Sequence, residues 1–207
     1  MALGREQVVD AALELLDEIG LDALTTRRLA QRLNVHVGSI YWQVPSKQAL
    51  LEAMADRIGA RIREHPIEAK QWPEQVAEFA RVTREALLAY RDGARIVVTA
   101  LPTEALLEGA NRLTGLLREA GASARLAALA TDTIMSHVTG FTLQEQSQDE
   151  GKGSTDKPAT REHISETEAV FAVTEKFALE VSLIIDGLRA AMARAPVAEA
   201  ARADASE

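Results

Sequence analysis

The sequence contains no cysteine among its 207 residues, which excludes disulfide bridges and thiolate metal sites. It lacks an apolar run approaching the ~18 residues of a membrane span. The charged residues Arg5 and Glu6 lie where a secretory signal would need an apolar core. It has no glycine-rich phosphate loop and no Ser–His–acid set at locally compatible spacing. We therefore expect a cytoplasmic protein that contacts no membrane, needs no cofactor and is not an enzyme.

Acidic residues are missing from one window of an otherwise acidic chain. The net charge is −8, yet no Asp or Glu occurs between Asp22 and Glu52. The cations inside this window are Arg27, Arg28, Arg32 and Lys47. A short basic window is typical of a surface that binds phosphates, although a gap of this length can also arise by chance.

Apolar residues recur at three- and four-residue spacing, and no alternating strand pattern occurs, so the predicted fold class is all-α. A first helix is expected to end at Gly20, and Thr25 or Thr26 is placed to cap a second, short helix. Further helices are predicted over Val37–Val44, Lys47–Arg63, Glu74–Tyr90, Pro102–Ala120, Ala124–Leu143 and Glu166–Ala193.

Two segments near the C-terminus differ in their apolar content. The segment Gln144–His163 has almost none and is expected to be a mobile loop. The last helix carries a broad apolar surface that extends from Val170 to Met192. This helix is either the central helix of a second domain or a helix shared between the core and a dimer interface.

The second and third predicted helices, joined by a tight turn, have the pattern of a helix-turn-helix. In such a motif the second helix lies in the major groove, where side chains reach base edges. Tyr41 and Trp42 would pack against sugar and phosphate, and Gln43 would bind a base edge or a phosphate. The alternatives are a three-helix packing unit with a buried aromatic pair, or a scaffold whose motif binds protein.

Residues 5–55 resemble the DNA-binding domain of the TetR family of regulators. The cluster Leu24–Leu33 and the run Ile40-Tyr41-Trp42 carry this resemblance. The similarity continues into the second half, toward the tetracycline-repressor branch of the family. It is carried there by Trp72, Ala86–Arg95, Pro102-Thr103-Glu104 and Ser136–Thr139.

The resemblance implies a ligand-responsive transcriptional repressor that acts as a homodimer. It would leave a pseudo-palindromic operator when a small-molecule inducer binds. The implied architecture is a three-helix helix-turn-helix domain at 1–47, a connecting helix at 48–65 and a larger helical ligand-binding and dimerisation domain at 66–195. Residues 196–207 are expected to form a disordered tail.

The resemblance also implies which residues contact DNA. Thr26 and Arg27 would contact bases, Arg27 being suited to guanine, and Lys47 would bind phosphate. The residues that would line the DNA from the third helix are Val37, Gly38, Ser39, Tyr41, Trp42 and Gln43. The histidine usual in tetracycline repressors is replaced by Gln43, and a polar residue is replaced by Val37, so the operator sequence should differ.

The resemblance implies ligand contacts at Arg63, Phe79, Thr83, Val97, Ala100, Leu113 and Glu145, and the sequence itself adds His137 as a candidate. Tetracycline repressors hold a magnesium chelate with a histidine where this chain has Val97 and a threonine where it has Ala100. Glu145 alone is a poor magnesium site, so we expect no metal and a largely apolar organic ligand. His137 remains open between a ligand-pocket or structural residue, a core residue and a metal ligand.

Overall fold

The computed structural model describes residues 3–151 and 172–204, and within these ranges the chain forms nine helices and no strand. The helices are α1 (Arg5–Ile19), α2 (Thr26–Arg32), α3 (Val37–Gln43), α4 (Lys47–Glu64), α5 (Trp72–Leu88), α6 (Gly93–Thr99), α7 (Glu104–Glu119), α8 (Ala124–Gly151) and α9 (Val173–Asp204). The all-α prediction is confirmed. No helix in the described part of the chain is long and apolar enough to cross a membrane.

The first three helices form a small bundle whose ends are fixed by local chemistry. Gly20 ends α1 with φ +75°, a conformation that glycine adopts without steric cost. The Thr25 hydroxyl accepts a hydrogen bond from the Arg28 backbone N–H and caps α2. Asn34, at φ +53°, supplies the turn into α3.

Helix α4 joins this bundle to the remaining helices, because it packs against α1 on one side and against α5, α6 and α7 on the other. Ser46 caps its start by accepting a hydrogen bond from the Ala49 N–H at 2.9 Å. Leu50, Met54 and Ile58 on its inner face are buried in a core that continues from α1 to α9.

The structure differs from the sequence prediction in the second half. Helix α6 was not predicted, and unlike α2 it begins without a side-chain cap, after Asp92 in a left-handed conformation. The predicted loop is wrong over 144–151, where α8 continues to Gly151, and its remainder lies outside the described residues. Helix α9 extends to Asp204, through positions assigned to a disordered tail, while the predicted start at Glu166 lies outside the described residues.

Candidate DNA-binding surface and ligand-binding domain

Helix α3 buries one side and exposes two aromatic residues on the other. Ile40 is fully buried, whereas Tyr41 is 47% and Trp42 89% exposed. The alternative of a buried aromatic pair is therefore wrong. Large aromatic side chains are expensive to leave in water, so this exposure points to a surface that another molecule covers.

The start of α2 lies beside this aromatic surface. The Thr26 hydroxyl is 3.3 Å from the Tyr41 hydroxyl, within hydrogen-bonding distance. Arg27 is exposed on α2, and Gly38 at the start of α3 has open space where a side chain would be. Val37 and Ser39 are half-buried on the same helix. The structure thus places Thr26 against Tyr41 and leaves room for close backbone approach at Gly38.

Two polar residues of the basic window are engaged within the protein. The Gln43 amide donates a hydrogen bond to the Leu3 carbonyl at 2.9 Å, so it ties α3 to the segment before α1. The Arg32 guanidinium binds Glu14 and Glu18 of α1 at 2.9 and 2.8 Å. Hydrogen bonds from Arg32 to these carboxylates raise the pKa of the guanidinium. Arg32 consequently adds little to the phosphate-binding charge.

The remaining cations of the window stay at the surface. Arg27, Arg28 and Lys47 are exposed, with Lys47 in the first turn of α4. Arg28 donates a hydrogen bond to the Ala23 carbonyl at 3.2 Å, which holds it near the start of α2. The positive charge therefore lies at the beginnings of α2 and α4, on either side of α3 in sequence.

The predicted ligand contacts divide into buried and exposed groups. Phe79 and Leu113 are 1% and 0% exposed and belong to the apolar core. The buried Thr83 hydroxyl donates to the Phe79 carbonyl at 2.8 Å, which satisfies it within α5. Val97 and Ala100, on α6 and at its end, are half-buried against this core.

Arg63 lies at the end of α4 on the outside of the molecule. It is exposed and forms an ion pair with Glu108 of α7 at 2.9 Å. Hydrogen bonding to Glu108 raises the pKa of Arg63. The structure thus gives Arg63 a surface partner while Phe79, Thr83 and Leu113 are enclosed.

Glu145 has a partner that the sequence analysis missed. The Arg84 guanidinium of α5 contacts both of its carboxylate oxygens, at 2.9 and 2.5 Å, and the two side chains are 9% and 17% exposed. The guanidinium also lies over the Phe177 ring, 5.2 Å from the centroid. Arg84 lies four positions after the buried Ala80 and hence on the apolar face of α5. A charged residue on this face is the feature of the sequence that could have indicated a buried ion pair.

His137 belongs to an aromatic cluster between α8 and α9. Its ring is parallel to that of Phe177 and tilted against that of Phe141, with both centroids 6.0 Å away. Its Nε2 atom is buried without a hydrogen bond, 3.4 Å from a Glu180 oxygen. Within the described ranges no group of three side chains is arranged to hold a metal ion.

A helix-turn-helix that exposes aromatic and cationic residues, mounted on a larger helical domain, defines a DNA-binding regulator. Residues 8–54 match the family model for bacterial regulatory proteins of the tetR family. Residues 65–192 match that for the tetracyclin repressor-like C-terminal domain. The chain belongs to the TetR family of transcriptional regulators, and the predicted resemblance is confirmed.

Similar proteins include the class A tetracycline repressor from transposon 1721 of Escherichia coli, which is 43% identical over 148 residues, 70% of this chain and 68% of that protein. The structure of a TetR point variant from Acinetobacter baumannii AYE in complex with minocycline has a TM-score of 0.75 at 34% identity, covering 92% of this chain and 98% of that one. The structure of BioQ with its natural double-stranded DNA operator has a TM-score of 0.72 at 32% identity, covering 90% and 98%.

Proposed function

We propose that this regulator binds a pseudo-palindromic operator as a homodimer and leaves it when an organic molecule binds the helical domain. The observation that carries the proposal is Trp42, which is 89% exposed on a helix whose opposite side is fully buried. The structure of BioQ with its operator supports DNA binding, and the structure of the TetR variant with minocycline supports binding of an organic molecule. The family consists of regulators, and we propose no catalytic activity for this chain.

On DNA, α3 would lie in the major groove with Tyr41 and Trp42 against the sugar–phosphate backbone. Arg27 would form a bidentate contact with guanine, and Thr26 would reach the same site through its position beside Tyr41. Lys47 would bind a phosphate. Gln43 would position α3 through its bond to the Leu3 carbonyl, and a contact with DNA would require that bond to break.

The proposed dimer interface uses α8 and α9, which expose large apolar side chains. Leu129 of α8 is 55% exposed, and Leu179 and Leu183 of α9 are 47% and 72% exposed. A second copy that packs against these helices would remove this apolar surface from water. Two-fold symmetry would then place the two α3 helices on half-sites about one helical turn apart.

The proposed inducer is a largely apolar organic molecule that needs no metal. Val97 and Ala100 have no side-chain atom that coordinates a cation. Both oxygens of Glu145 are held by Arg84, so the carboxylate is not disposed to bind magnesium. Phe79 and Leu113 are enclosed, so ligand entry would require the helices around them to move apart.

DNA binding is tested on a duplex that the wild-type protein selects from a random library, compared with its scrambled sequence. Affinity should fall steeply with added salt. Arg27→Ala should weaken binding to the selected duplex by roughly 1–3 kcal/mol and relax preference at one base pair. Lys47→Ala should weaken both duplexes alike. Equal losses on both duplexes for Arg27→Ala would refute the base contact, and no shift at any salt would refute DNA binding.

Metal-free induction is tested by adding tetracycline with magnesium to the bound duplex, with and without EDTA. We expect no release by micromolar drug under either condition. Val97→His should not create a response, because the other polar contacts are replaced as well. Magnesium-dependent release at micromolar tetracycline would contradict the proposed ligand class.

A further inference from the structure

The turn between α5 and α6 contacts the DNA-binding domain directly. Asp92, 3% exposed, adopts φ +58° and ψ +17° just before α6. Its Oδ2 atom accepts a 2.7 Å hydrogen bond from the backbone N–H of Leu21, in the loop between α1 and α2. Its Oδ1 atom accepts a 3.0 Å bond from Arg95. A buried carboxylate that accepts one bond from a backbone N–H and one from a guanidinium holds both donors in place.

Two further bonds join the same segments. The Arg91 backbone N–H donates to Asp17 of α1 at 2.7 Å, and the Arg95 guanidinium donates to Asp22 at 2.8 Å. Arg95 holds the pKa of Asp22 below its ordinary value, chiefly through this hydrogen bond. The end of α1 and the loop that leads into α2 are therefore held from the α5–α6 segment at three points, one at Asp17 in α1 and two at Leu21 and Asp22 in the loop, and none of them involves α4.

Helix α8 holds the same turn from its other side. The Gln146 amide nitrogen donates to the carbonyls of Leu87 and Tyr90 at 3.2 and 2.9 Å, and its oxygen accepts from the Ala94 N–H at 3.1 Å. The turn itself is tight, since a Cβ on Gly93 would lie 2.1 Å from the Leu87 carbonyl oxygen. Movement of α8 at Gln146 would consequently displace the turn as a unit.

We infer that Gln146 and Asp92 are positioning residues that connect α8 to the α1–α2 loop and so place the start of α2 for DNA binding. The path runs from Gln146 through the turn to Asp92 and then to Leu21, which shortly precedes the Thr25 cap. This path is a second connection between the two domains, in addition to α4. The inference rests on the proposed DNA-binding function, and it assigns roles to residues outside the proposed DNA and inducer contacts.

The first test measures backbone hydrogen exchange in the full-length dimer. Gln146→Met keeps the side-chain volume and removes all three bonds. Exchange of the Leu21 amide should rise by roughly tenfold, as expected when about one net hydrogen bond of stabilisation is lost. Exchange of the buried amides at Leu13 and Leu16 of α1 should not change. Gln144→Ala, an exposed position on the same helix, is the matched control and should leave Leu21 unchanged.

The second test is a double-mutant cycle on affinity for the selected duplex. Asp92→Asn retains an acceptor and tolerates positive φ but loses the charge that pairs with Arg95. If the two residues act along one path, the double variant should lose no more affinity than the worse single variant. A merely structural role would give additive losses. If Gln146→Met does not fold, judged by circular dichroism, both measurements are repeated with Gln146→Glu, which keeps the acceptor for Ala94 and loses both donated bonds.

Unchanged Leu21 exchange together with additive affinity losses would overturn the inference. If the wild-type protein binds no duplex, the proposed function fails, whereas the exchange experiment still decides the connection from Gln146 to Leu21. The two failures are therefore distinguishable.

Discussion

Gly59 of α4 lies directly against the start of α7. A Cβ placed on it would lie 3.0 Å from the Leu106 backbone nitrogen and 3.1 Å from the Ala105 carbonyl carbon, at the start of α7. Asp56 of α4 also holds the first turn of α7, because its carboxylate accepts a hydrogen bond from the Ala105 N–H at 3.1 Å. The nearest atoms are this backbone and the Ala105 Cβ, none of which a side-chain rotation can move, so Gly59→Ala must separate α4 and α7 by a few tenths of an ångström.

Two opposing contributions set the effect of Gly59→Ala on the free energy of unfolding. Alanine in a helix interior is more favourable than glycine by about 1 kcal/mol. Overpacking a close contact costs about 1–3 kcal/mol, and contact with backbone places this site near the upper end. Gly59→Ala should therefore lower the free energy of unfolding by about 1–2 kcal/mol. Gly115→Ala in α7 is the matched control, because nothing lies within 4 Å of its Cβ position. It should be stabilising by about 1 kcal/mol.

The assay is urea unfolding followed by circular dichroism, at one fixed protein concentration because dimerisation contributes to apparent stability. The quantity compared is the difference between the two alanine variants, expected at roughly 2–3 kcal/mol. If Gly59→Ala is as stable as Gly115→Ala, the close α4–α7 contact does not exist in solution.

Three further perturbations follow from the contacts described. Glu145→Gln leaves the Arg84 guanidinium, 9% exposed, without its charged partner, and should lower the free energy of unfolding by about 3 kcal/mol. Arg95 lowers the pKa of Asp22, so the stability that this carboxylate contributes is present above its unfolded-state pKa and is lost as pH falls through the lowered folded-state pKa. The melting temperature of wild type should accordingly exceed that of Asp22→Asn at neutral pH, and the two should converge in acid. Trp42→Ala should change stability by less than about 0.5 kcal/mol, because the side chain is exposed, while weakening DNA binding.

Each of these three predictions has a control variant or an outcome that would contradict it. Replacing both members of the buried pair, by Arg84→Met with Glu145→Leu, should recover most of the stability lost in Glu145→Gln. A constant difference between wild type and Asp22→Asn across the acid range would show that Asp22 is not paired. Unfolding of Trp42→Ala at markedly lower urea would place the indole in the core and contradict its assignment to the DNA surface.

The helix-turn-helix could be predicted from sequence because its determinants are local. Gly20 ends α1 and Thr25 caps α2 through bonds to residues at most four positions away. The exposure of Trp42 could be anticipated for a similar reason, since the period of a short helix fixes which side faces inward. These features depend on neighbours in the chain, so the chain specifies them.

Only the tertiary structure decided which polar residues are engaged with one another. Gln43 reaches Leu3, Arg84 reaches Glu145 and Asp92 reaches Leu21, across 40, 61 and 71 positions. The length of α8 was decided in the same way. Residues 144–148 are polar and have little helical pattern of their own, but Glu145 and Gln146 bond to Arg84 and to the α5–α6 turn, and this stabilises the helix there. A hydrogen bond between distant residues depends on how the helices pack against one another. The apolar period of a single segment does not specify which distant residue a polar side chain will contact.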